Sequence, residues 1–159
     1  MRRLIALALV TTALLSGCAQ TVAFDAAPDG KNALCAEVVV RLPDEVGDDF
    51  ERRQTNSQGT AAWGDPSVAL LRCGVTVPGP TSTLPCVQTG NIYWLRDGSD
   101  ENNPVFITYG REPATEVIVN REAVSPGVVL LDVSSALGYT TETAKCTEVE
   151  DSLDPTTPN

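Results

Sequence analysis

The chain has 159 residues, 42% of them hydrophobic and 20% charged, which suffices for one domain with one core. Its formal net charge of −10, from 11 basic and 21 acidic side chains, disfavours nucleic acid and an electrostatic grip on anionic lipid heads. Histidine is missing altogether, which excludes Ser-His-Asp and Cys-His catalysis.

Residues 1–17 read as a lipoprotein signal peptide. Arg2 and Arg3 form a positive n-region, and Leu4 to Leu15 is an apolar run broken only by Thr11 and Thr12. That run has the length of a secretory h-region and falls short of the roughly 20 residues of a spanning helix. It ends in Leu15-Ser16-Gly17-Cys18, an aliphatic residue, two small residues and a cysteine, the pattern of a lipobox. The small side chains suit a narrow peptidase site, and only the thiol can take a diacylglyceryl group as a thioether. Two or more acyl chains on Cys18 make a stable anchor where one would be marginal. Cleavage removes two arginines and no acid, leaving 9 basic against 21 acidic residues, or −12.

Residues 18–31, rich in Ala, Asp, Pro and Gly, read as a lipidated tether. The folded domain is expected over 32–146. A first helix is predicted from Ala33 to Leu42, with Leu34, Val38, Val39 and Leu42 on one face and Pro43 ending it. Three consecutive valines make a strand the competing reading there. Asp44 to Arg53 looks like an exposed loop. Short apolar runs follow with turn signals between them: Thr60–Trp63, Ser67–Cys73, Cys86–Gln88, Ile92–Leu95, Val105–Tyr109 and Thr115–Val119. Such close spacing favours antiparallel hairpins over βαβ units. A last helix is predicted after Ser125 as N-cap and Pro126 as first residue, with Leu130, Val133 and Leu137 in helical period and Gly138 as the stop. Residues 147–159 read as a disordered acidic tail. The fold class is therefore α+β, a small antiparallel sheet with N- and C-terminal helices packed on one face and two disulfides.

The disulfides follow from cysteine arithmetic. Five cysteines are an odd number, but lipid consumes Cys18 and leaves Cys35, Cys73, Cys86 and Cys146. In an oxidising compartment an even set reads as two bridges. Four cysteines allow three connectivities. Cys73 and Cys86 flank a Gly/Pro-rich loop, so the preferred pairing is nested, Cys73 with Cys86 and Cys35 with Cys146. Without Cys-x-x-Cys or histidine, a zinc site is not expected.

Few residues suggest chemistry. Asp44, Glu45, Asp48 and Asp49 crowd one segment and read as a solvated acidic face. Asp97, Ser99 and Glu101 match the first three ligand positions of a calcium loop, but Asn102 and Thr108 fill the positions that need Gly and Glu, so a polar hairpin tip is preferred. In Trp63-Gly64-Asp65-Pro66, Gly and Pro enforce a turn whose amides Asp65 can cap. Trp63, Trp94 and Tyr109 are candidates for an aromatic platform, although large aromatics in a small domain are usually core. Arg72, within an apolar strand, needs a carboxylate, and Asp65 is the candidate partner. With Arg111, these residues form the candidate binding surface: Trp63, Asp65, Arg72, Trp94, Tyr109 and Arg111.

Several segments carry a family resemblance: Cys35 with Leu42-Pro43, Ala62-Trp63-Gly64-Asp65-Pro66 leading to Leu71-Arg72-Cys73-Gly74, Cys86-Val87 with Trp94 downstream, Thr108-Tyr109-Gly110-Arg111 with Pro113, and Cys146. Over most of the mature domain the chain resembles lipoproteins of high-GC Gram-positive bacteria grouped as domain of unknown function 3515. The Trp-Gly-Asp-Pro to Arg-Cys-Gly stretch is the specific part. The resemblance implies a cell-envelope lipoprotein with two disulfides, anchored on the outer leaflet of the cytoplasmic membrane, and it implies no activity.

The expected role is a non-catalytic interaction or ligand-binding module of the cell envelope, without metal or cofactor, held to the membrane through Cys18 and facing an envelope-protein or cell-wall partner. The alternative is a cell-wall enzyme using carboxylates, with Arg72 or Arg111 as an anion clamp. A purely structural role in membrane complexes is a third reading.

Overall fold

A computed structural model of the chain describes residues 20–80 and 83–150. The leader, Cys18 and the end of the acidic tail lie outside these residues. In chain order the elements are α1 (Ala33–Arg41), β1 (Glu45–Val46), β2 (Phe50–Arg53), β3 (Thr60–Trp63), β4 (Ala69–Val75), β5 (Cys86–Thr89), β6 (Ile92–Asp97), β7 (Val105–Tyr109), β8 (Arg111–Glu112), β9 (Ala114–Val119), α2 (Pro126–Leu137) and β10 (Thr141–Glu142). Eight strands form one antiparallel sheet in the order β1-β2-β3-β4-β9-β7-β6-β5, and β8 pairs separately with β10. The chain is thus α+β, with an antiparallel sheet, two helices and two disulfides.

The helices start where local chemistry starts them. The Asn32 side chain accepts from the Leu34 amide at 2.9 Å and caps α1. Pro43 follows its end. The β-preference of Val38, Val39 and Val40 is overridden because a helix buries Val38 completely in the core. Pro126 occupies the first turn of α2, but the Ser125 side chain makes no capping bond. Gly138 stays right-handed at φ −58°, so α2 ends without the left-handed turn its glycine suggests; the amide and hydroxyl of Thr140 both donate to the Leu137 carbonyl, at 3.1 and 2.7 Å, instead.

Period-2 alternation in the strands supplies the rest of the core. Leu71 pairs with Val117, and Val117 with Phe106, so the three stand in a row across β4, β9 and β7. These residues, with Trp63 and Trp94, join Val38 and Leu42 of α1 and Val129, Leu130, Val133 and Leu137 of α2 in one buried cluster. The opposite parity, including Leu70, Arg72, Ile107 and Tyr109, is only half-buried.

Four expectations change. First, the disulfides are Cys35–Cys73 and Cys86–Cys146, with Cα–Cα distances of 5.5 and 6.5 Å. The nested pairing fails because β9, β7 and β6 lie between β4 and β5. Four strand spacings are about 19 Å, and a disulfide tolerates about 7 Å between Cα atoms. The faces also disagree. Cys73 shares the parity of Leu71 and meets α1, while Cys86 pairs with Leu95, neighbour of the core Trp94, and points to the other face. Second, Asp44–Arg53 is not a plain exposed loop. It forms β1 and β2, Val46 is fully buried, and the Gly47 amide donates to Asp132 Oδ2 of α2 at 3.0 Å. Third, the stretch read as a tether is packed from Gln20 onward. The Arg53 guanidinium donates to the Gln20 carbonyl at 2.7 Å, Val22 bridges to Thr55, and Ala27 is buried. Fourth, the tail is engaged as far as Glu150, whose amide donates to the Cys86 carbonyl at 2.8 Å.

Candidate functional site

The residues expected to form a binding surface do not come together. Trp63 and Trp94 are both fully buried in the core cluster. The Trp63 indole donates to the Pro43 carbonyl at 3.1 Å, whereas the Trp94 indole nitrogen is buried without a partner. Tyr109 pairs with Tyr93, whose parity is opposite to that of Trp94, so it lies across the sheet from both indoles. No aromatic platform results, because alternation along β6 and β7 assigns these rings to different faces.

The charged candidates are tied into the fold. Arg72 meets Glu116, not Asp65: both its Nε and Nη2 donate to Glu116 Oε1, at 3.1 and 2.7 Å. The two residues are directly opposite in the β4–β9 register, closer than any loop carboxylate. Asp65, with its side chain 80% exposed, pairs with Arg53 at 2.9 Å. Arg111 is buried and donates to the carbonyls of Thr140, at 3.0 Å, and Asn91, at 3.4 Å, and to Glu142 Oε2, at 3.4 Å. It clamps the C-terminal segment to the β5–β6 turn through both terminal nitrogens. The facing carboxylates that glycosidase chemistry needs do not stand beside Trp63 and Arg111, because these two side chains are enclosed by protein.

The polar hairpin tip between β6 and β7 folds on itself. Asp97 Oδ1 accepts from the Ser99 amide at 2.9 Å, and Asp100 Oδ1 from the amides of Asn102 and Asn103 at 2.9 and 3.1 Å. The Ser99 amide holds the Asp97 carboxyl below its ordinary range, and the Asn103 side chain, helped by the two amides, does the same for Asp100. Among the described residues no group of three or more acidic, Cys or His side chains is placed to hold a metal ion, and no helix is long and apolar enough to cross a membrane.

A concavity lies elsewhere on the domain. An open groove of about 580 Å³ runs between α1 and the β2–β3 connection, within the size range of small-ligand sites. Asn32, Ala36, Val39 and Val40 form its helical wall, one stripe of α1. Arg52, Thr55 and Gln58 face them, with Lys31 at one end and Asp44 near Arg52. Val40 is 80% exposed. Arg52 is half-buried and its side chain has no acidic oxygen within ion-pairing distance among the described residues; its guanidinium donates to the Leu42 carbonyl at 3.4 Å. Burial pushes its guanidinium below the ordinary value, and the charge of Asp44 opposes that shift. A half-desolvated cation that no carboxylate pairs directly, beside the exposed Val40 and the half-buried Val39, suits a ligand with an anionic head and an apolar stem. Sequence reasoning missed this groove because none of its residues belongs to a motif. They meet only once α1 folds over β2.

A family model described as a protein of unknown function, DUF3515, matches residues 3–146. The chain belongs to the DUF3515 family. The match takes in the apolar leader, Cys18 and all four disulfide cysteines. No curated protein and no solved structure matches the chain. In this DUF3515 chain the Trp-Gly-Asp-Pro to Arg-Cys-Gly stretch is the β3–turn–β4 hairpin: Trp63 enters the core, Asp65 and Arg72 pair with Arg53 and Glu116, and Cys73 locks α1 onto the sheet.

Proposed function

We propose that this protein is an exported bacterial lipoprotein, anchored by lipid on Cys18 to the outer face of the cytoplasmic membrane of an actinobacterium, where its domain serves as a non-catalytic interaction or ligand-binding module. The observation that carries the reading is the lipobox Leu15-Ser16-Gly17-Cys18 at the end of a short apolar leader. Two disulfides support it, since such bridges persist in oxidising compartments and are rare in the cytosol. With Cys18 taken by lipid, every other cysteine has a partner. The binding part of the reading is supported by the α1–β2 groove, and the non-catalytic part by the structural engagement of Arg72 and Arg111, the two candidate anion clamps.

The test is Cys18→Ala in cells fed a labelled fatty acid. The expected result is loss of label, with the domain released from membranes or left as an unprocessed precursor. Unchanged labelling and fractionation would rule the anchor out.

A further inference from the structure

The first described residues and the groove share one element. Arg53 holds the Gln20 carbonyl at 2.7 Å, the Val22 amide donates to the Gln54 carbonyl at 2.9 Å, and the Phe24 amide donates to Asn56 Oδ1 at 2.7 Å. Arg52, Arg53, Gln54 and Thr55 of this same stretch line the groove. A chain that is fixed from Gln20 has only Ala19 between that point and Cys18, two residue steps or at most about 7 Å of extended backbone. The headgroup layer on one side of a bilayer is itself roughly 5–8 Å deep. A flexible tether over 18–31 would instead allow an r.m.s. reach of about 20 Å. A lipidated Cys18 therefore sets the β1–β2 side of the domain at the headgroups, while β5, six strand spacings from β2, stands off by up to about 29 Å.

We propose that the α1–β2 groove is a lipid-headgroup site, which faces the bilayer holding Cys18 and takes the phosphate of a membrane lipid at Arg52, with Lys31 a second cation of the groove lining. This rests on the lipoprotein reading above. The chemistry of the groove matches that occupant. Arg52 is half-buried with no carboxylate oxygen within ion-pairing distance among the described residues, and Lys31 makes no ion pair among them, so each has donors to offer a phosphate. Val39 and the exposed Val40 stand where the first carbons of the lipid would lie. The acidic mature chain does not draw the domain to anionic lipid from a distance. The short covalent link supplies the proximity, and the groove then needs only a modest local affinity at millimolar effective concentration.

The experiment uses the full lipidated chain in bicelles of phosphatidylcholine and phosphatidylglycerol, with a paramagnetic gadolinium chelate on a fraction of the headgroups. Amide NMR signals of Lys31, Val40, Arg52 and Thr55 are expected to broaden most, and those of Gln88 to Asn91 least. A second form carries a flexible insertion of about 12 Gly and Ser residues between Ala19 and Gln20. Its groove footprint should persist at low salt and be lost in the same form with Lys31→Gln and Arg52→Gln. Uniform broadening, a footprint on β5 and β6, or loss of the footprint on insertion alone would overturn the headgroup site. Mass spectrometry of the same sample separates the two readings. An unacylated Cys18 defeats the anchor and this inference together, whereas an acylated chain without the footprint defeats this inference only.

Discussion

The two ends of the domain are docked by the same device with opposite depth. Residues 20–30 run along the β2–β3 side, where the Asp29 amide donates to the Gly74 carbonyl at 2.9 Å and Ala27 and Gly30 are buried. Residues 141–150 cross the other side, where the amide of Thr143 donates to the Gly110 carbonyl at 2.8 Å and nearly every side chain is exposed. In each case a left-handed glycine lets backbone approach backbone: Gly74 at φ 88° under Asp29, Gly110 at φ 65° under Ala144. Each arm also lies beside a disulfide. Cys35–Cys73 is fully buried between α1 and the central strand β4, and Cys86–Cys146 joins an edge strand to the arm itself. The first end is built into the core, and the second is strapped onto it.

The largest expected effect follows from that difference. Closing a 38-residue separation constrains the unfolded chain by about 4 kcal/mol in the loop-entropy model. The native state cannot recover that freedom when Cys35 and Cys73 are replaced, because α1 and β4 remain packed. The double variant Cys35→Ala/Cys73→Ala should lose about 4 kcal/mol by denaturant unfolding, with a fall in Tm of roughly 10–20 °C. A fall no larger than that caused by removing the other bridge would break the comparison.

Alanine at the two glycines sharpens it. A Cβ on Gly74 or on Gly110 would overlap a neighbouring backbone, and both positions have positive φ. The strain at φ is about 1–2 kcal/mol in either place. The steric cost differs, because Asp29 and Gly30 are held by the folded N-terminal stretch whereas Ala144 belongs to an exposed arm that can lift away. Gly74→Ala should therefore lose about 2–4 kcal/mol, and Gly110→Ala about 1–2 kcal/mol, measured by thermal melts. Equal losses would show that the C-terminal arm is as rigid as the N-terminal one.

Much of this was legible before any coordinates. Pro126 and the Leu130–Val133–Leu137 period mark α2, and turn signals mark β3 to β7. What local pattern cannot reveal is which strands become neighbours. β4 pairs with β9, far along the chain, and this long-range pairing moves Cys86 away from Cys73. β2 escaped notice because Glu51, Arg52 and Arg53 look solvated, yet the arginines are half-buried against α1 and the N-terminal stretch. Residues 20–30 have a linker's composition, but their backbone groups find partners on β2, Gly74 and Asn56, and backbone hydrogen bonding leaves little trace in side-chain identity. The groove was invisible for the same reason, being made by the arrival of α1 over residues that carry no motif. Trp63 and Trp94 were readable as core, whereas the partner of Arg72 required the register.

The second bridge gives the smallest effect and the most specific one. Its 60-residue separation is the longer, so loop entropy alone assigns it at least as much stability as the first, about 4 kcal/mol. That accounting assumes a native state equally ordered with and without the bond. Without Cys86–Cys146 the arm keeps only shallow anchors: the two-residue β8–β10 pairing, the backbone bonds of Thr143 and Ala144 to Gly110 and of Glu150 to Cys86, and the Arg111–Glu142 contact, whose carboxylate side chain is 42% accessible. It can therefore fray in the native state and recover much of the entropy that the unfolded chain gains. Cys86→Ala/Cys146→Ala should cost no more than about 1 kcal/mol in global unfolding, at the low end of measured disulfide effects. Amide exchange should speed up selectively at Thr143, Ala144 and Glu150, while amides beside Cys35 and Cys73 stay protected. A loss of the full entropic amount, with uniform exchange across the domain, would mean that the arm is part of the cooperative core and that the two ends are held alike.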